Sequence, residues 1–118
     1  MKVALALLLA ASTTAFAAPH TKKPPARLQV VAREYSFTFS HLKLKAGQAI
    51  VELDNFGQDP HDLRIQRTGA KHIAGLGVVA PGKRATLTLN LPPGRYTFWC
   101  SIANHRKLGM QATLIVTR

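Results

Sequence analysis

Four residues with sulfur or imidazole side chains are spaced so that they could bind one metal ion. The only cysteine, Cys100, is followed at equal intervals of five residues by His105 and then by Met110. A further imidazole, His61, lies upstream between a proline and an aspartate. Two histidines, one cysteine thiolate and a weakly bound axial methionine are the ligands of a blue-copper electron-transfer site. The four residues therefore predict a site for one copper ion.

Each of these residues also has an ordinary explanation. A buried free cysteine packs like a small hydrophobic side chain, and methionine commonly fills gaps in a core. Cys100 could also form an intermolecular disulfide, and either histidine could simply be exposed. The joint pattern favours the metal, because Met110 is the only methionine besides the initiator and a histidine lies midway between it and the only cysteine. The remaining histidines lack partners at ligand spacing and are expected at the surface; they are His20, His41 and His72.

Short β-strands are the elements that would position these residues. Polar and apolar side chains alternate with a period of two in many segments, which is typical of half-buried strands. Seven or eight such strands, separated by turns, predict an all-β Greek-key sandwich or barrel. Residues 67–82 contain several glycines and are expected to form a loop that covers the core. The predicted strands are 28–34, 35–39, 42–45, 48–53, 61–66, 85–91, 95–100 and 112–117.

The predicted strand 95–100 would carry the thiol into the interior. Side chains alternate between the two faces of a strand, so Tyr96, Phe98 and Cys100 share one face. If the aromatic pair points inward, Cys100 also points inward at the end of the strand. His105 and Met110 then belong to the loop before the last strand. His61 begins another strand, and the sequence leaves open whether the two strand ends meet.

The N-terminus and the charge indicate an exported basic protein. Residues 1–17 have a lysine, an apolar run and an Ala-Phe-Ala sequence, which together predict a cleaved secretory signal peptide and a periplasmic or extracellular location. Residues 18–27 are rich in proline and lysine and are expected to be a leader, followed by one domain over 28–118. The chain has 16 basic and 5 acidic residues. This excess favours anionic partners, and export argues against nucleic acid.

Two segments resemble the ligand regions of the cupredoxin family, the blue copper proteins that include plastocyanin and azurin. Residues 94–110 resemble the C-terminal ligand loop of the family, with the Cys-x₄-His-x₄-Met spacing of its auracyanin and rusticyanin type. The sequence Asn55-x-Gly57-x₃-His61-Asp62 resembles the first ligand region. The family often has Asn or Ser where Asp62 stands. A carboxylate there would accept hydrogen bonds, orient the loop together with Asn55, and lower the reduction potential.

The resemblance implies a mononuclear blue-copper protein that carries single electrons between redox partners. His105 would be the electron port, and the surrounding docking residues would be Ile102, Ala103, Arg106, Lys107 and Leu108. Their charge suits an acidic protein partner, with peripheral membrane contact as a further possibility, and we expect a monomer. Copper storage, delivery or sensing is the alternative function, and an adhesion or interaction domain with a degenerate site is a third.

We do not expect an enzyme. The loop has no second cysteine, since residues 101–104 are Ser, Ile, Ala and Asn, and this excludes a binuclear copper centre of the oxidase type. A multicopper oxidase would need further domains and His-x-His pairs, which the chain lacks.

Overall fold

The computed structural model describes residues 10–118. The first nine residues of the predicted signal peptide lie outside this range, and residues 10–25 belong to no strand. The first strand begins at Ala26, within the segment that the sequence assigns to the leader. Among the described residues, no helix is long and apolar enough to cross a membrane.

The described chain is all-β, as predicted, and its strands form two sheets packed against each other. The first sheet has the order β2-β1-β4-β7 and the second has the order β3-β9-β8-β5-β6. Both sheets are mixed, because β1 pairs parallel to β4 and β3 pairs parallel to β9. The strands are β1 (Ala26–Arg33), β2 (Ser36–Phe39), β3 (Lys43–Lys45), β4 (Gly47–Asn55), β5 (His61–Arg67), β6 (Ala74–Val79), β7 (Arg84–Leu91), β8 (Gly94–Trp99) and β9 (Gln111–Thr117).

The described range contains nine strands rather than seven or eight, because residues 74–79 form β6 and not a covering loop. Glycines concealed this strand, since they weaken the alternating pattern. Gly75 is required by the pairing, because the carbonyl oxygen of Leu63 on β5 occupies the space that a Cβ atom would need. Of the four apolar side chains in this segment that were expected to cover the core, Val79 is buried and Leu76 is partly buried, whereas Ile73 and Val78 are exposed. Tertiary pairing has overridden local propensity here.

The core lies between the two sheets and is built from the inward-facing positions of most strands. On β8, Tyr96 and Phe98 are buried, and Cys100 just beyond the strand is fully buried, which confirms the predicted inward face. Phe98 makes an edge-on contact with Phe39 of the other sheet, at 4.8 Å between ring centroids. Burial of aromatic rings contributes much of the stability of a small domain, so this contact helps to hold the sheets together.

Strand pairing brings the predicted ligand regions to one end of the sandwich. β5 runs antiparallel to β8 with Arg64 opposite Trp99, so the start of β5 lies beside the end of β8. β9 also pairs antiparallel to β8, which places the start of β9 at the same end. The two strand ends therefore meet, which the sequence left open. His61 at the start of β5 and Cys100 just after β8 are neighbours because of these registers.

Candidate metal centre

The segment from Cys100 to Met110 is a compact loop whose two ends are joined. The amide of Cys100 donates a hydrogen bond to the carbonyl of Met110, with 3.1 Å between N and O. Within the loop, the amide of His105 donates to the carbonyl of Ile102, and the amide of Met110 donates to the carbonyl of His105. These turns fold the loop so that His105 is hydrogen-bonded to Met110 at its end. Cys100 and Met110 are fully buried, and His105 is 7% exposed.

Three of the four predicted ligands meet at one point. The candidate ligand atoms of His61, Cys100 and His105 all lie within 4.8 Å of one another. The Sγ atom of Cys100 is 3.6 Å from Nδ1 of His105, and the two imidazole rings are 5.1 Å apart at an angle of 60°. Met110 is also buried, and its backbone carbonyl accepts a hydrogen bond from the Cys100 amide. Two imidazoles and a thiol in this arrangement are the donor set of a trigonal copper site.

The ring of His61 presents an unsatisfied nitrogen to this cluster. Its Nε2 atom lies 3.0 Å from a carboxylate oxygen of Glu34. Its Nδ1 atom is buried and has no hydrogen-bond partner among the described residues. A buried polar atom without a partner costs about 1–3 kcal/mol and calls for an explanation, such as an ion. A metal ion bound at Nδ1 supplies one, so the residues present fit a copper ion.

The loop before His61 is fastened by the buried side chain of Asn55. Its amide nitrogen donates hydrogen bonds to the carbonyls of Asp59 and Val79, at 2.8 and 2.9 Å. Its side-chain oxygen accepts a hydrogen bond from the amide of Gly57 at 2.9 Å. These three bonds tie the end of β4 to the loop and to β6. Asn55 therefore fixes the approach of the chain to His61 at the start of β5.

Asp62 connects the two strands that carry His61 and Cys100. One carboxylate oxygen accepts a hydrogen bond from the amide of Ser101 at 2.6 Å, and the other accepts one from the Ser101 hydroxyl. The guanidinium of Arg64 lies 3.6 Å from the same carboxylate. A buried charge needs such partners. Asp62 thus accepts the hydrogen bonds that the sequence analysis expected of a carboxylate at this position.

The thiol of Cys100 is in an environment that favours its neutral form. Burial raises the pKa of Cys100, and this outweighs the backbone hydrogen bonds from Asp62 and Ile102, which lower it. A thiol without metal at this position is therefore protonated at neutral pH. Binding of a metal as the thiolate would release that proton.

The turn between β1 and β2 contacts both histidines, and these contacts were not predicted from the sequence. Glu34 lies against His61, and the ring of Tyr35 lies 4.9 Å from the ring of His105 between centroids. The Tyr35 hydroxyl donates a hydrogen bond to Asp59 at 3.1 Å. Hydrogen bonds, chiefly from the Asp59 amide, lower the pKa of Glu34 to about 2, so this carboxylate is ionised at neutral pH. No motif marks the turn, since Glu34 and Tyr35 look like the ordinary ends of two strands.

The residues predicted to form the docking surface lie on the outside of the ligand loop. Ile102 is half-buried, Leu108 is 50% exposed, and the others are exposed. The guanidinium of Arg106 lies over the ring of Trp99, 4.6 Å from its centroid, which directs this charge toward β8. The histidines expected at the surface, His20, His41 and His72, are all exposed.

Comparison with known sequences decides the family. A sequence profile described as the cupredoxin-like domain matches residues 2–116, nearly the whole chain. The chain belongs to the cupredoxin-like family. The resemblance drawn from the ligand regions is therefore confirmed. Among proteins of curated function, a sequence search finds no match.

Solved structures agree with this cupredoxin fold. Reduced auracyanin from Roseiflexus castenholzii superposes with a TM-score of 0.67 at 17% identity, over 81% of this chain and 100% of its own. Auracyanin A from Chloroflexus aurantiacus, a blue copper protein, gives 0.64 at 16% identity, over 80% and 100%. Rusticyanin from Thiobacillus ferrooxidans gives 0.62 at 21% identity, over 80% and 79%. The fold also occurs in an enzyme, since a multicopper oxidase gives 0.56 at 20% identity, over 80% of this chain and 46% of its own.

Proposed function

We propose that this cupredoxin is an exported electron carrier that holds one copper ion. His61 and His105 would bind the ion through Nδ1 and Cys100 through its thiolate, with the Met110 thioether as a weak axial ligand. Such an ion supplies one-electron chemistry by changing between Cu(I) and Cu(II). The single observation that carries the proposal is the convergence of His61, Cys100 and His105, all buried, with ligand atoms within 4.8 Å of one another. The partnerless Nδ1 atom of His61 supports it.

The surrounding residues are arranged to keep the ligands in one geometry. His61 begins a regular strand, and Asn55 and Asp62 fasten its two neighbouring segments by hydrogen bonds. Cys100 and Met110 are joined through the backbone. A site held in this way changes little between two oxidation states, which suits fast electron transfer without bond making. The chain would then act as a carrier and not as an oxidase.

The surface near His105 is the proposed port for electrons. His105 is the most exposed of the four ligands, and the apolar residues around it are Ile102, Ala103 and Leu108. Lys107 and Arg106 add positive charge at the rim of this patch. Charge at a rim acts mainly on the rate of association and weakens with salt. We therefore propose an acidic redox protein as the partner of a monomeric carrier.

The segments before the copper-binding domain would direct its export. We propose that residues 1–17 are a secretory signal peptide, 18–27 a leader and 28–118 the copper-binding domain, in a periplasm or outside the cell. A metal-bound thiolate would also explain why an exported protein keeps its only cysteine unpaired.

Absorption and EPR spectra of the protein with one equivalent of Cu(II) test the proposal. An intense blue or green band together with narrow copper hyperfine splitting is expected from a thiolate-bound type 1 site. A pale spectrum of ordinary Cu(II), with copper still bound, would overturn the electron carrier and favour copper storage, delivery or sensing. Failure to bind copper would leave only an interaction domain.

Substitution of the axial residue tests the assignment of Met110. In Met110→Gln, copper should stay bound while the reduction potential falls, because an amide oxygen favours Cu(II) more than a thioether does. A fall of about 59 mV corresponds to a tenfold change in the ratio of the two copper affinities. An unchanged potential would exclude axial ligation by Met110.

A further inference from the structure

The partner of the buried His61 ring is a carboxylate from a distant part of the chain. Glu34 lies in the turn between β1 and β2, 27 residues before His61, and its Oε1 atom is 3.0 Å from Nε2 of the ring. The same oxygen accepts hydrogen bonds from the amides of Gln58 and Asp59, at 2.8 and 2.7 Å. The side chain of Glu34 is 25% exposed, whereas that of His61 is fully buried. The carboxylate is therefore the polar contact of an otherwise enclosed ring.

This contact decides which nitrogen of His61 carries the proton. A neutral imidazole has one N–H group and one nitrogen with a free lone pair. The Oε1 atom of Glu34 already accepts hydrogen bonds from two backbone amides and accepts from the ring as well, so the N–H group lies on Nε2 and donates to Glu34. Nδ1 then carries the lone pair, and it is the buried ring atom without a hydrogen-bond partner among the described residues. The ring is thus held in the form that a metal ion requires.

The chain also makes room for the carboxylate. A Cβ atom at Gly57 would lie within 3.0 Å of both carboxylate oxygens of Glu34. Gly57 has no positive φ angle, so its backbone conformation is open to alanine, and the three atoms nearest to the added Cβ atom all belong to Glu34. Gly57 therefore permits the close approach of the turn to the loop before His61.

We propose that Glu34 is a positioning residue that sets the tautomer and orientation of His61, and that its negative charge lowers the reduction potential of the site. The inference rests on the proposed function and deepens it. A hydrogen-bonded carboxylate raises the basicity of a metal-bound histidine, and loss of such a partner typically costs about 10–100-fold in metal affinity. The added negative charge stabilises Cu(II) more than Cu(I), and this lowers the potential.

A purely structural role for Glu34 is the competing explanation. Its bonds to the Gln58 and Asp59 amides could serve only to shape the loop. Glu34→Gln distinguishes the two roles, because an amide oxygen can still accept those bonds but lacks the charge. Glu34→Ala removes both, and Gly57→Ala displaces the carboxylate without changing the charge. Glu52→Gln is the matched control, since Glu52 lies on β4 and the charged groups that act on it are Asp54, Arg84 and Arg27.

The first experiment is nitrogen NMR of the histidine rings in the metal-free protein at neutral pH. We expect His61 in the wild type and in Glu52→Gln to be protonated at Nε2, and the Nδ1-protonated form to appear in Glu34→Ala. Circular dichroism establishes that each variant is folded. A wild-type ring protonated at Nδ1, or a folded Glu34→Ala protein with the wild-type tautomer, would overturn the positioning role.

The second experiment measures copper affinity and reduction potential. In Glu34→Gln we expect the ratio of Cu(II) to Cu(I) affinity to fall about tenfold, which raises the potential by about 59 mV. Gly57→Ala should also raise the reduction potential, whereas Glu52→Gln should leave it unchanged. Equal potentials in Glu34→Gln and wild type would refute the effect of charge. If the wild type fails to form a type 1 site, the proposed function fails, but the NMR result on Glu34 still stands.

Discussion

The two histidines of the site are held in different ways. His61 begins a regular strand, is fully buried, and has a charged partner at Nε2. His105 lies in a loop without strand structure, is 7% exposed, and is held by backbone hydrogen bonds of that loop and by the ring of Tyr35. One side of the site is therefore a polar network within the fold, and the other is a closed loop at its surface.

Under the proposed function, this difference separates two requirements of electron transfer, namely a fixed metal geometry and access for a partner. The His61 side fixes geometry and charge, because its hydrogen bonds leave the ring little freedom. In the proposed carrier, the His105 side would keep a copper ligand close to the redox partner, because only a short loop covers it. The turn formed by Glu34 and Tyr35 joins the two sides, since each of its residues contacts one histidine. Substitutions on each side should therefore have different consequences.

Cys100 lies close to both histidines, so its loss should have the largest effect. In Cys100→Ser we expect the intense absorption band to disappear completely, because the colour depends on a thiolate bond to copper. The measurement is the visible spectrum after addition of one equivalent of Cu(II). The matched control is Ser101→Ala, which removes a hydroxyl from the next residue and should keep the colour. A coloured Cys100→Ser protein would show that the thiol is not the ligand.

A pair of asparagine substitutions compares the stability of the two sides. Asn55→Ala removes three hydrogen bonds of a buried side chain on the His61 side. We expect the free energy of unfolding of the metal-free protein to fall by about 2–4 kcal/mol, because buried partners are left unsatisfied. Asn104 is exposed in the ligand loop, and its change to alanine should cost within about 0.5 kcal/mol. Urea denaturation measures both, and equal losses would remove the distinction between the sides.

A glycine substitution disturbs the His105 side through the backbone. Gly109 has a φ angle of 121°, and a Cβ atom there would lie 3.0 Å from the carbonyl oxygen of Tyr35. Gly109→Ala should therefore destabilise the metal-free protein by about 1–3 kcal/mol. Gly77→Ala is the control, since nothing lies within 4 Å of its Cβ position. A Gly109→Ala protein as stable as this control would show that the loop adapts without strain.

The sequence predicted the His105 side of the site better than the His61 side, for a physical reason. Cys100, His105 and Met110 lie on one short loop, so their spacing alone indicates that they can meet. His61 was found because its type and its neighbours are distinctive. Glu34 acts from 27 residues away, and its contact exists only because β1 runs beside β4. Such a partner depends on the tertiary arrangement and leaves no local signal.

The fold shows the same division between local and distant information. The alternating strands were predictable, because period-two burial appears in the order of residues. Strand β6 was not, because Gly75 is required by the close approach of β5 at Leu63 and weakens the alternating pattern of the strand. The meeting of His61 and Cys100 likewise followed from the pairing of β5 with β8.

The smallest expected effect concerns the charge around His105. Lys107→Glu should slow oxidation of the reduced protein by the anionic reagent hexacyanoferrate(III) roughly two- to fivefold at low ionic strength, because a nearby positive charge attracts the reagent. The difference should vanish at high salt, where exposed charges are screened. Lys45→Glu makes the same change at the other end of the sandwich, since β3 runs parallel to β9 away from the site. Equal slowing in both variants would mean that net charge, and not a port at His105, controls the rate.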